Sequence, residues 1–264
     1  MSIHHFTTGD GCRIAYRLDG AEHLPVLVLS NSIATDHRMW AGQIEALTRS
    51  FRVLRYDTRG HGGSDAPGGA YSADRLGRDV LELMDGLGVE TFDFCGLSLG
   101  GMVGQWLGIR APERLRRLVL SNTAAHLAPA AYFDGLIAQT LASLDLEALA
   151  DMFLDNWFPA AMAATHPQVI ADFRAMVLDT SKVGLAGCFA AVRDLDFRRS
   201  LDRISTPTLV IGGQDDTVTL ASHSQEIAEA ILGSELLLLP GVHILNVERQ
   251  DAFLGAVTEF LSRS

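Results

Sequence analysis

Thr91-Phe92-Asp93-Phe94-Cys95-Gly96-Leu97-Ser98-Leu99-Gly100-Gly101-Met102 is the stretch that decides how this chain folds. Thr91 to Cys95 is short and apolar, and reads as a strand. Met102 to Ile109 has a helical pattern. Between them sits Gly96-x-Ser98-x-Gly100, followed by Gly101. A strand that turns into a helix this abruptly leaves no room for a Cβ at the flanking positions, so glycine is required there. The central serine is held in a strained backbone conformation. Its hydroxyl then projects at the helix N-terminus, where free N–H groups and the helix dipole favour developing negative charge. Ser98 is therefore the candidate nucleophile.

The same alternation of strand and helix extends in both directions. Cys12 to Leu18 alternates like a half-exposed strand. Pro25 to Ser30 and Phe51 to Tyr56 are apolar on both faces, as buried parallel strands are. Ser72 reads as an N-cap before Leu76, Val80, Leu83, Met84 and Leu87, with Gly88 as the stop. Leu115 to Ser121, Thr208 to Ile211 and Glu235 to Leu239 are further strands, and Gln250 to Ser262 closes the chain as an amphipathic helix. This order predicts an α/β fold with a mostly parallel sheet. Between Ala125 and Arg203 the strand pattern gives way to Ala-, Leu-, Phe- and Met-rich helical spacing, punctuated by Pro129, Pro159 and Pro167. The expected organisation is a core of residues 1–124 and 204–264, with residues 125–203 inserted as a helical cap over the ligand crevice.

Composition narrows the function. The chain has 264 residues, enough for one domain carrying an insertion. It holds 48% hydrophobic and 20% charged residues and a formal net charge of −11, with no basic run of the kind a nucleic-acid partner requires. No apolar run approaches the roughly 20 residues of a membrane helix, and the N-terminus lacks signal-peptide character. Cys12, Cys95 and Cys188 are widely spaced, with no metal-ligand or disulfide pattern. The expectation is a cytoplasmic protein without metal, whose partner is a small molecule.

A serine nucleophile needs a base and usually a carboxylate to orient it. Of nine histidines, His243 alone follows the last strand, in the turn Pro240-Gly241-Val242-His243. Asp215 and Asp216, adjacent after the strand Thr208 to Ile211, are both candidates for the acid. The backbone N–H of Leu99 is the first candidate oxyanion donor. The second comes from the loop Asn31 to Trp40, where Ile33 is the best placed.

These residues carry a resemblance. The Gly-x-Ser-x-Gly turn, the stretch Asp57-x-Arg59-Gly60-x-Gly62-x-Ser64 and the late Asp and His resemble the α/β-hydrolase superfamily across nearly the whole chain. More specific phrases resemble its 3-oxoadipate enol-lactonases. They are Ser30-Asn31-Ser32-Ile33, Thr35-Asp36, Met39-Trp40, Phe51 to Gly62, Phe94 to Ser98, Ser121 to Ala125, Ala191 to Asp194 and His243 to Glu248. The resemblance implies an eight-stranded, mostly parallel sheet flanked by helices, and no cofactor. Its Gly-x-x-Asp register starts at Gly213 and selects Asp216 as the acid. Two positions depart from it: Ala34 stands where glycine is implied, and Leu245 where serine is.

The implied reaction opens a carboxylate-bearing enol-lactone to 3-oxoadipate through an acyl-enzyme on Ser98. A cation near the cap should then hold the carboxylate, and Arg38, Lys182 and Arg193 are the candidates, with Trp157 as a wall. Arg59 reads as structural. The triad alone equally fits another small-ester, lactone or carbon–carbon bond hydrolase, and the fold alone would fit a non-catalytic ligand receptor.

Overall fold

The computed structural model describes residues 2–263. Its strands are β1 (His4–Thr7), β2 (Arg13–Asp19), β3 (Val26–Ser30), β4 (Arg52–Tyr56), β5 (Phe92–Leu97), β6 (Leu115–Ser121), β7 (Thr208–Gly213) and β8 (Glu235–Leu239). They form one eight-stranded sheet in the order β1-β2-β4-β3-β5-β6-β7-β8. Pairing is parallel from β4 through β8, while β2 runs antiparallel to both β1 and β4. The fold is the α/β-hydrolase architecture expected from the sequence. Central β5 and β7 are buried at every position, as largely apolar inner parallel strands are, and the one charged residue among them, Asp93 of β5, pairs with Arg116. The four-residue edge strand β1 is the strand the sequence pattern missed, and the helix Ala221–Ala230 after β7 also went unread. His4-His5-Phe6-Thr7 is mostly exposed and carries no apolar alternation to reveal it.

The helices are α1 (Ile44–Leu47), α2 (Ala73–Gly86), α3 (Leu99–Arg110), α4 (Ala130–Ala142), α5 (Glu147–Trp157), α6 (Ala160–Thr165), α7 (Pro167–Asp179), α8 (Lys182–Asp194), α9 (Ala221–Ala230), α10 (Leu245–Glu248) and α11 (Gln250–Leu261). Ser72 caps α2, its Oγ accepting the Arg75 N–H at 3.1 Å. Gly88 ends that region at φ +67°, a left-handed conformation in which glycine carries no Cβ penalty.

Helices α4 to α8 all lie between β6 and β7 in the chain. The excursion leaves and returns side by side: His126 bridges to Asp196, and the Phe197 N–H donates to the Ala125 carbonyl at 2.8 Å. α8 then rests on the loop after β4. A Cβ added to Gly184 would lie 2.2 Å from the Gly60 Cα, so only two glycines can pass this closely. Across the contact the Ser181 N–H donates to the Gly60 carbonyl at 3.2 Å, and the Tyr71 N–H to the Gly187 carbonyl at 3.0 Å.

The sheet order positions the site. From β3 the chain goes to β4 on one side and then returns to β5 on the other. The strand order therefore reverses between β3 and β5, and the crevice at their carboxyl ends is where open α/β sheets bind ligands. The loop holding Ile33 follows β3, and Ser98 follows β5.

Candidate active site

Ser98 has φ +59° and ψ −116°, a strained conformation for a residue with a side chain. The surrounding contacts hold it there. Its N–H donates to the Ser121 carbonyl at 2.9 Å, and the Thr123 hydroxyl donates to the Ser98 carbonyl at 2.8 Å. The glycines of the turn are sterically required. A Cβ on Gly96 would lie 2.1 Å from the Gly100 oxygen, and one on Gly100 would lie 2.2 Å from the Ser30 oxygen. A side chain at Gly96 would force the turn itself open, and one at Gly100 would push it away from β3 and so from the Ile33 loop.

His243 sits in the turn after β8 and is fully buried. Its Nδ1 is 2.8 Å from Asp216 Oδ2. Asp216 follows β7 and has a dense set of donors. Oδ1 accepts the backbone N–H groups of Val218 at 2.8 Å and Thr219 at 3.1 Å. Oδ2 accepts the Thr219 hydroxyl at 2.8 Å and the Asn122 amide at 2.9 Å. Burial by itself would raise the Asp216 pKa. Attraction to His243 when its ring is protonated, together with the hydrogen bonds from His243, Asn122 and Val218, outweighs it and holds the carboxyl well below its ordinary value. Asp216 is thus a fixed anion facing His243 Nδ1, so Nδ1 carries the proton. Nε2 is buried without a protein partner, and His243 and Ser98 line the same cavity. That leaves a basic nitrogen free for proton transfer. Asp215, the other acid candidate, is exposed and makes no such contact.

The cavity has a volume of about 270 Å³ and lies between the sheet and the inserted helices. That is close to the lower end of the ~300–1,000 Å³ typical of small-molecule sites. Ile33 and Leu99 both line it, and neither backbone N–H has a protein acceptor among the described residues. Ala34, just past Ile33, adopts φ +59°. This is why glycine is implied there, and alanine must be held in that conformation by its neighbours. Leu245, the second departure, is fully buried at the start of α10, with a methyl group 2.8 Å from where a Cβ on Gly241 would stand.

Trp157 lines the cavity, stacked on Phe153 with ring centroids 4.8 Å apart. The three candidate cations do not join it. Arg38 is clamped by Asp36 at 2.6 Å and reaches Asp179. Arg193 pairs with Asp134 at 2.8 Å and Asp194 at 2.7 Å. Lys182 donates to the Ser143 carbonyl at 2.7 Å. Among the described residues no arginine or lysine lines the cavity. Its polar side-chain groups other than Ser98 and His243 are the Tyr132 and Thr217 hydroxyls, the Asn156 amide and the Trp157 indole, and Tyr132 and Thr217 stand at the exposed mouth. Arg59 is structural as read, bound to Asp79 at 2.6 Å and Asp10 at 2.9 Å.

The sequence reading missed Asn122 and Thr219 as partners of the acid. Asn122 was visible only as part of a family-like phrase, and nothing in its spacing pointed at Asp216. Asp36, His37 and Asp57 also bring possible metal-ligating atoms within 4.8 Å of one another. Their capacity is already used. Asp57 accepts from the His37 and Gly63 N–H groups at 2.8 Å each, and Asp36 holds Arg38.

Comparison with known proteins agrees with this geometry. The α/β hydrolase fold family matches residues 25–250. The chain is 36% identical to 3-oxoadipate enol-lactonase 2 of Acinetobacter baylyi, covering 100% of this chain and 99% of that protein. It is 33% identical to an Agrobacterium fabrum protein named for carbamate hydrolysis, RutD, covering 90% and 93%. Two solved structures superpose closely. A hydrolase from Pseudomonas aeruginosa has 55% identity and a TM-score of 0.98, covering 99% of each chain. The enol-lactonase from Burkholderia xenovorans has 40% identity and a TM-score of 0.96, covering 98% of this chain and 100% of that one. The chain therefore belongs to the α/β-hydrolase family, and its resemblance to the enol-lactonases of that family runs its full length.

Proposed function

We propose that this protein is a serine hydrolase that opens 3-oxoadipate enol-lactone to 3-oxoadipate, with Ser98, Asp216 and His243 as its catalytic triad. The observation that carries the reading is the convergence on one small cavity of Ser98, a buried unpartnered His243 Nε2, and the free N–H groups of Ile33 and Leu99. The full-length similarity to proteins named as enol-lactonases supports the choice of substrate.

In this mechanism His243 Nε2 takes the Ser98 proton while Asp216 stabilises the resulting imidazolium. Ser98 Oγ bonds to the lactone carbonyl carbon, and the oxyanion lies against the Ile33 and Leu99 N–H groups. Collapse breaks the ring C–O bond, and the departing enol oxygen takes the proton from His243. An enolate is a better leaving group than an alkoxide, which eases the acid step. The enol tautomerises to the ketone. Water activated by His243 then attacks the acyl-enzyme and releases 3-oxoadipate. No cofactor enters these steps. The substrate carboxylate would rest at the mouth, met by neutral donors such as Asn156 and Tyr132 and by solvent.

One observation favours a second reading. A cavity without a lining cation suits an uncharged small ester, lactone or carbamate equally well. The decisive experiment follows the loss of ultraviolet absorbance of 3-oxoadipate enol-lactone with wild type and Ser98→Ala, beside a neutral aryl ester. Rapid lactone turnover that disappears in Ser98→Ala is expected, with KM unchanged in Arg38→Met, Lys182→Met and Arg193→Met. Turnover of the neutral ester alone would retain the triad and discard the enol-lactone.

A further inference from the structure

The Ile33 loop is held by a histidine outside the triad. His61, in the loop after β4, is 1% exposed. Its Nε2 lies 2.9 Å from the Ala34 nitrogen, and its Nδ1 lies 3.2 Å from the Arg59 carbonyl oxygen. A backbone N–H can only donate and a carbonyl can only accept. Nδ1 therefore carries the ring hydrogen, and Nε2 offers its lone pair to Ala34. Burial lowers the His61 pKa, which keeps the ring neutral and the lone pair available.

The bond falls where the loop needs it. Ala34 is fully buried at φ +59°, a left-handed conformation that is strained for a residue with a Cβ. The adjoining turn is closed by Thr35, whose hydroxyl donates to the Ser32 carbonyl at 2.8 Å. Ala34 N–H belongs to the peptide plane directly after Ile33, so anchoring it restricts the backbone that aims the Ile33 N–H into the cavity. His61 is itself on a fixed base: Arg59 is bound by buried Asp79, and Gly60 lies beneath Gly184 of α8.

We propose that His61 is a positioning residue for transition-state stabilisation, its Nε2 holding the Ala34 N–H so that the Ile33 N–H meets the developing oxyanion. This rests on the reading of Ser98 as nucleophile and Ile33 as second donor. Removing an oxyanion donor outright costs about 10²–10³ in rate, and loosening one should cost part of that.

Two substitutions separate the roles of the ring nitrogens. His61→Asn keeps a donor near the Arg59 carbonyl but loses the distal acceptor. His61→Gln places an amide oxygen where Nε2 stood. With the substrate that wild type turns over, His61→Asn is expected to lower kcat about 10- to 100-fold with KM nearly unchanged. It should weaken binding of an alkyl boronic acid, which forms a tetrahedral anion on Ser98, by the same factor. His61→Gln should recover most of both. Equal losses in the two variants, or a loss confined to KM with boronate affinity intact, would overturn the proposal. A wild-type measurement guards against variants that fail to fold. Nitrogen-15 NMR of the ring should show the Nδ1–H tautomer across the active pH range, and an Nε2–H tautomer would sink the idea. If Ser98→Ala keeps its turnover, the underlying reading fails first. If Ser98→Ala is inactive while His61→Asn is unimpaired, only the positioning role falls.

Discussion

At the scale of single residues, Asp216, the proposed acid, is held by more than the histidine it faces. Asn122 sits at φ +43°, a left-handed conformation that asparagine tolerates better than most residues. From there its amide reaches both Asp216 Oδ2 and, at 3.0 Å, the Val242 carbonyl beside His243. One side chain thus ties the acid loop to the base loop. Asn122→Gly keeps this backbone conformation accessible while removing the amide. A lost hydrogen bond to a charged group is worth about 1.5–3 kcal/mol, so kcat should fall roughly tenfold to a hundredfold. Steady-state kinetics would check this, and an unchanged kcat would remove Asn122 from the site. The residue scale is also where the sequence was least legible. Ser98 and His243 could be placed because a rare turn and a chain order single them out. Arg38, Lys182 and Arg193 could not be placed, because a charge in a sequence does not name its partner. Arg193 is matched by adjacent Asp194 and by Asp134, a residue 59 positions away.

At the scale of elements, the sheet strands were legible because burial on both faces leaves short apolar runs, as in Leu209-Val210-Ile211 of β7. The inserted helices were legible as helices but not as an arrangement. Ala-rich segments such as α8, Lys-Val-Gly-Leu-Ala-Gly-Cys-Phe-Ala-Ala-Val-Arg-Asp, are buried along most of their length, so no single stripe shows which face meets the core. The two glycines in α8 settle that face in the folded molecule, one against Gly60 and one against the Tyr71 ring. Gly184→Ala puts a methyl group into the Gly60 backbone, which has no side chain to yield. Overpacking of this kind typically costs about 1–3 kcal/mol. The expected result is a lower urea midpoint together with reduced activity, because the displaced α8 carries Phe189 and Val192 of the cavity wall. A stability loss with wild-type kcat and KM would show instead that α8 can shift without disturbing the site.

At the scale of the whole molecule, the formal net charge is −11, and among the described residues no arginine or lysine lines the cavity. An anionic lactone approaches against that field, while a neutral aryl ester does not feel it. Screening shortens the reach of the field to about 8 Å at physiological ionic strength. kcat/KM for the anionic lactone should therefore rise with added salt, while that for the neutral ester stays level. A falling salt profile for the lactone would point to a local cation outside the cavity lining. The seating of α8 has a different consequence. Gly184 against Gly60, with two backbone hydrogen bonds alongside, leaves this side of the roof no slack to swing open. Any widening of the entrance must then come from its other side, where Tyr132 stands on α4 and Thr217 on the loop after β7, so the hinge of this roof lies opposite its glycine seat.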